Sequence, residues 1–277
     1  NNQLAKLKES LMEENPVDIA ELFEDLTKEQ SLKIFRILPK DTSAEVFSYL
    51  SSEKQQEIVE NITDEEIRHI IDEMFIDDTV DFIEEMPANV VDKILQNTSP
   101  DTRKLINQFL KYPENSAGSV MTVEYVSLKS DMNIGQALNH IKKVGIDNET
   151  IDICYIIDNQ RKLVGFISLK SLIFLDDILP LVDAMETNVI SAITTDDQEF
   201  IASQFRKYDL TSMPVVDNEG RLVGIITIDD VVDVIDQENT EDFQKMAAMN
   251  PSDEEYLKES VFSLAKHRII WHHHKKI

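Results

Sequence analysis

DNEGRLVGIITIDDV, residues Asp217–Val231, decides the fold of the C-terminal half, because its pattern already occurs as DNQRKLVGFISLKSL at Asp158–Leu172. The copies are offset by 59 positions and share Asp, Asn, Leu, Val, Gly and Ile. DNQRK and DNEGR read as polar turns, each between a strand and the LVG-led second strand that runs into a helix start. A helical stretch precedes each copy, NIGQALNHIKKVG (133–145) and DQEFIASQFRKYD (197–209), so two βαββα units stand in tandem.

Toward the N-terminus the period changes. KYPENSAGSVMT (111–122) brings Pro and Gly together and marks a boundary. Before it, cutting every twelve residues from Ile19 aligns eight units without a gap, from IAELFEDLTKEQ through RKLINQFL. Positions four and five are apolar almost throughout (Leu22/Phe23, Ile34/Phe35, Val46/Phe47, Ile58/Val59, Ile70/Ile71, Phe82/Ile83), and position eight is mostly Leu, Ile or Met. A spacing of four is helical. Pro39, Asp41, Ser51, Ser52, Thr63, Asp64, Pro87, Ser99 and Pro100 supply turns and helix starts, so the expectation is an α-solenoid of short stacked helices.

The fold class expected is therefore multidomain: an all-α superhelical solenoid, then α/β tandem repeats and a C-terminal connecting helix. The boundaries expected are a helical domain at 1–112, linker and first repeat at 113–181, second repeat at 182–242, and a connecting helix at 243–271. Residues 272–277, with His272–His274, read as a tag-like tail and not as native metal ligands.

Charge narrows the function. The chain of 277 residues has 53 acidic and 27 basic residues, a net of -26, which argues against binding nucleic acid through a basic surface. From Asp176 to Asp242 there are 17 carboxylates against Arg206, Lys207 and Arg221, a net of -14. Thr227–Phe243 holds Asp229, Asp230, Asp233, Asp236, Glu238, Glu241 and Asp242 and no Lys or Arg. Two carboxylates about 5 Å apart repel by roughly 3 kcal/mol at an effective dielectric near 20, so such a cluster calls for water, salt or a metal.

Cys154 is the single cysteine; within ICYII it reads as a buried strand residue, and a reducing compartment is expected. No apolar run reaches the ~18 residues of a bilayer span, so the chain as given is expected to be soluble. In NPSDEEYLKESVFSLAKHRIIW (250–271), Tyr256, Val261, Leu264, Ala265 and Ile269 fall near helical spacing. Lys266, His267 and Arg268 stand close to Trp271, a pattern that either precedes membrane entry or ends a surface helix.

LVGIITIDD matches well, and LVGFISLKS partly, the second strand of cystathionine-β-synthase-type (CBS) domains. Joined to an acidic solenoid and the linker YPENSAGSVMT, the order resembles the cytoplasmic part of MgtE-type magnesium transporters over residues 4–271. The resemblance implies a magnesium-sensing regulatory region on the cytoplasmic face of the cell membrane, in a homodimer paired through its CBS domains and joined to its own transmembrane domain. It implies Mg²⁺ ions that bridge acidic surfaces and favour a closed state. The acidic positions it picks are Glu45, Asp77 and Asp81 in the helical domain; Glu199 and Asp209 in the second CBS domain; Asp230 and Asp233; then Glu238, Glu241 and Asp242.

Magnesium suits scattered oxygens, since it keeps several waters and takes one or two carboxylates. Asp230/Asp233 and Glu238/Glu241 are i,i+3 pairs if helical, and like charges at that spacing destabilise the bare helix. No EF-hand loop is present.

Two further readings stay open. CBS pairs often bind adenosine ligands, and the resemblance puts Thr227 and Asp230 at ribose and phosphate and Pro214 near the base, for ATP or a related nucleotide. Ser171 stands where the first repeat would need Asp. A protein-interaction scaffold is the other alternative. An enzyme is not expected: His69, His140 and His267 are dispersed, and no P-loop, CxxC or Ser/His/Asp order accompanies them. His69, at position three of its unit, reads as an exposed surface residue.

Overall fold

The computed structural model describes residues 2–246 and divides near residue 113 into a helical unit and an α/β unit. The helical unit contains α1 (Asn2–Leu11), α2 (Pro16–Glu24), α3 (Lys28–Phe35), α4 (Lys40–Ser48), α5 (Ser52–Asn61), α6 (Asp64–Glu73), α7 (Ile76–Glu84), α8 (Ala88–Asn97) and α9 (Pro100–Phe109). The turn residues read from the sequence are helix N-caps: Pro39, Ser51, Thr63, Pro87 and Ser99. Thr63 forms a full capping box, its N–H donating to Glu66 Oε2 at 2.7 Å while Glu66 N–H donates to Thr63 Oγ1 at 3.3 Å.

The packing is not between sequence neighbours alone. Helices α2, α4, α6 and α8 pack in succession, as do α3 with α5 and α7 with α9. The twelve-residue period is thus one helix, and the stacking unit is a pair of helices in two rows. Between rows the apolar positions meet: Phe47 of α4 lies edge-on to Phe82 of α7, ring centroids 5.1 Å apart, and to Phe35 of α3 at 6.2 Å. Phe23, Val46, Phe47 and Ile58 are fully buried.

The α/β unit holds two three-stranded sheets of the same build. In the first, β1 (Tyr125–Lys129) runs parallel to β2 (Thr150–Ile157), which pairs antiparallel with β3 (Leu163–Ser168). In the second, β4 (Ala192–Ile193) is parallel to β5 (Ser212–Val216), and β5 is antiparallel to β6 (Leu222–Thr227). The helices are α10 (Ile134–Val144), α11 (Leu169–Phe174), α12 (Leu181–Ala184), α13 (Gln198–Tyr208) and α14 (Ile228–Met246). Both LVG runs are strands and both helical stretches are helices.

The repeat is also a spatial symmetry. Leu163 N–H donates to Gly220 O at 3.1 Å and Leu222 N–H to Arg161 O at 3.0 Å, each residue being the other copy's counterpart. Arg161 (φ 66°) and Gly220 (φ 78°) occupy the same left-handed turn position. Between the sheets lie Tyr155, Leu222 and Ile225, with Tyr155 Oη 2.8 Å from Ser212 Oγ. Gly165 of the first LVG is required by close approach: a Cβ there would meet Glu186 O at 2.7 Å. Cys154 is buried in β2 as expected, and burial pushes its thiol up to about 12.

Residues of the linker read as leading into the first repeat hydrogen-bond to the second. Ala117 N–H reaches Asp196 O at 2.7 Å, Gly118 N–H reaches Thr194 O at 2.9 Å, and Gln198 N–H reaches Asn115 O at 2.9 Å. No helix among the described residues is long and apolar enough to cross a membrane. The basic, Trp-ended segment 250–271 and the His-rich tail lie outside the described residues.

Candidate functional site

The acid-rich run is helical. Helix α14 starts where β6 ends, and Thr227 and Asp230 stand at its first turn as a Thr-x-x-Asp box. Thr227 Oγ1 donates to Asp230 Oδ2 at 2.7 Å, and its N–H donates to the same oxygen at 3.2 Å. Burial outweighs these bonds and raises the Asp230 carboxyl from 3.8 to about 6, with Asp229 and Asp233 adding repulsion. Asp233 reaches solvent yet is also raised, by partial burial first and then by Asp236 and Asp229. Asp229, Asp233 and Asp236 thus form an i, i+4, i+7 ridge of one sign.

Further along, Glu238 Oε1 accepts a 2.9 Å bond from Gln198 Nε2, whose buried amide ties α13 to α14. Glu241 and Asp242 continue the same helix. On α13, Glu199 is exposed in the first turn and Asp209 ends the helix in a left-handed conformation, φ 50°. Ten residues of helix rise about 15 Å, so Glu199 and Asp209 serve different places. Asp230 and Asp242 are about 18 Å apart by the same rise. The predicted acids of α13 and α14 therefore stand at several separate places along the two helices.

In the helical unit, Asp77 lies in the first turn of α7 and is buried, Oδ1 accepting from Asp78 N–H at 3.1 Å. Asp81, one turn on, is exposed, and so is Glu45 in the middle of α4. Glu45 and Asp81 share a position in the twelve-residue period, but α4 and α7 belong to different rows.

Of the residues predicted for a nucleotide, Pro214 and Thr227 sit on one sheet and Asp230 in the first turn of α14. Pro214 is buried on β5 opposite Ile225, and Ser212 pairs with Thr227 two positions away. A cavity of about 230 Å³ between the repeats is lined by Leu163, Val164, Thr187, Val189, Ser191, Val216 and Gly220, so Pro214, Thr227 and Asp230 do not line it. A second, of about 340 Å³, lies between α13 and α14 with Asp209 on its wall. In the first repeat Ser168 and Ser171, Oγ atoms 2.8 Å apart, replace the Thr227–Asp230 pair with a neutral one.

Asp229, Asp236 and Gln198 are absent from the residues picked by sequence. Counting i+3 and i+4 from Asp233 would have found the two acids; Gln198 depended on how α13 and α14 pack.

Comparison with known proteins places these elements. The family model of the MgtE intracellular N domain matches residues 14–115, and that of the CBS domain matches 117–177 and 181–237. The magnesium transporter MgtE of Thermus thermophilus is 38% identical over 172 residues, covering 62% of this chain and 38% of the relative. The chain therefore spans well under half of that curated protein. The crystal structure of the cytosolic domain of the Mg²⁺ channel MgtE in complex with ATP superposes with a TM-score of 0.78 at 36% identity, covering 82% of this chain and 93% of that one. The soluble part of a magnesium transporter gives 0.81 at 29% identity, with 86% and 94% covered.

Proposed function

Because the chain belongs to the MgtE family, matching its cytosolic part, we propose that it is the magnesium-sensing regulatory region of a magnesium channel or transporter. Mg²⁺ bridges acidic surfaces and favours the closed state. The carboxylates are Glu45, Asp77 and Asp81 of the helical domain, Glu199 and Asp209 of the second CBS domain, and Asp230, Asp233, Glu238, Glu241 and Asp242 along α14. The observation carrying the proposal is the state of Asp230 and Asp233: both are disfavoured as bare anions by burial and by neighbouring acids. A hydrated dication relieves that repulsion without a preformed cage, which suits the scattered placement.

The domain division at 112/113, 181/182 and 242/243, pairing of two copies through the CBS domains, and attachment to a transmembrane domain at the cytoplasmic membrane face belong to the same proposal. Catalysis does not: the curated relative is a transporter.

Small-angle scattering and limited proteolysis across a Mg²⁺ titration, with a potassium control at matched ionic strength, test this reading. Compaction and protection specific to Mg²⁺, weakened by Asp230→Asn with Asp233→Asn, are the expected result. A response equal to that of potassium sinks it.

A second reading rests on the ATP held by a relative's cytosolic domain and on the Thr227–Asp230 box. Pro214 would lie near the adenine, and Thr227 and Asp230 together would meet the ribose and phosphate, with ATP or a related nucleotide as modulator. Equilibrium dialysis with labelled ATP tests it, and no retention by the parent chain rejects it.

A further inference from the structure

We propose that the helical unit carries a transition-metal site made by Asp41, His69 and Glu73, separate from the oxygen-only magnesium loci. One ligand atom from each lies within 4.8 Å of the others. His69 and Glu73 stand one turn apart on α6, the i,i+4 spacing that points two side chains the same way. Asp41 comes from the first turn of α4, the helix packed beside α6 in the same row. All three belong to one unit, so its internal packing alone assembles the set.

The imidazole supplies an independent observation. His69 is half-buried, not exposed as its place in the period suggested, and its Nε2 is shut off from solvent with no hydrogen-bond partner among the described residues. A shielded ring nitrogen without a partner is costly, and the imidazole that carries it belongs to a set with two carboxylates that bear no lysine or arginine ion pair among the described residues.

Donor chemistry selects the ion. Magnesium takes hard oxygen ligands, whereas imidazole suits Zn²⁺, Ni²⁺ and Cu²⁺. One nitrogen and two carboxylate oxygens give three protein ligands and leave room for water, the open arrangement that Zn²⁺ accepts. Bonds of about 2.0–2.2 Å would draw the donors closer than they stand, through rotation of the exposed Asp41 and Glu73 side chains. The bound ion would clip α4 to α6 and stabilise the folded unit by mass action.

The test uses the full chain with His272, His273 and His274 changed to Ala, so the tail cannot chelate. Zn²⁺ is titrated calorimetrically in saturating Mg²⁺, and Co²⁺ is followed by its visible absorption. One equivalent of Zn²⁺ should bind and should raise the melting temperature. His69→Gln should weaken it by about tenfold or more, with Asp41→Asn and Glu73→Gln each weakening it, and the Co²⁺ spectrum should change with His69. His140→Gln should leave binding unchanged, and circular dichroism checks that each variant folds. Binding that survives His69→Gln, or none at micromolar Zn²⁺ in the folded parent, overturns the assignment.

Discussion

Thr227 Oγ1 donates to Asp230 Oδ2 across 2.7 Å, and the Thr227 N–H donates to the same oxygen. The carboxylate is fixed at the start of α14 while its surroundings disfavour its charge. A group held in place yet electrostatically unsatisfied is one whose energy a bound cation changes most.

Asp230 should make stability fall as pH rises. The unfolded chain loses this proton near 3.8 and the folded chain near 6, so between those values the folded state binds more protons. Its contribution is complete below about 4, is lost through about 6, and is flat beyond. Asp230→Asn should remove that slope and, without Mg²⁺, be more stable than the parent at neutral pH by about 1–3 kcal/mol. Urea denaturation at stepped pH measures both. Mg²⁺ binding by the parent should run the other way, weakening as pH falls through the same window, as protons compete for the ligand.

Thr227→Ala should destabilise the α/β unit by about 1 kcal/mol, because it removes the hydroxyl half of the cap. Thr227→Ser should retain most of it. Thermal melts of the two variants, compared with Ser168→Ala at the neutral counterpart, check the assignment.

Gly220→Ala has open space for its methyl group, so any loss is conformational. At φ 78° a Cβ should cost about 1–2 kcal/mol. Arg161→Gly at the equivalent turn should be neutral to slightly stabilising, since Gly relieves the same conformation but loses more chain entropy. Denaturant midpoints report both.

Phe47→Ala should destabilise the helical unit by about 3–5 kcal/mol, since the ring lies between Phe35 and Phe82 and joins the rows. Phe47→Leu should lose less. Hydrogen exchange resolved by segment should show the loss in α3, α4 and α7.

Local periodicity was legible in the chain before any folding: the tandem LVG strands, the short helices with their caps, the buried Cys154 and the acidic run on one helix. Each depends on spacing along the backbone or on residues within a turn of one another. The acids of α14 were legible for the same reason, because i+3 and i+4 neighbours are set by the helix itself.

Tertiary structure alone decided what distance along the chain does not encode. The even and odd rows, the linker's hydrogen bonds to the second repeat, the Gln198–Glu238 bond and the convergence of Asp41 on His69 and Glu73 all join segments more than ten residues apart. It also decided which carboxylates are buried: Asp77 and Asp81 sit four residues apart on one helix, yet Asp77 is buried and Asp81 exposed. Burial is set by what packs above a residue, and that sets the cost of its charge.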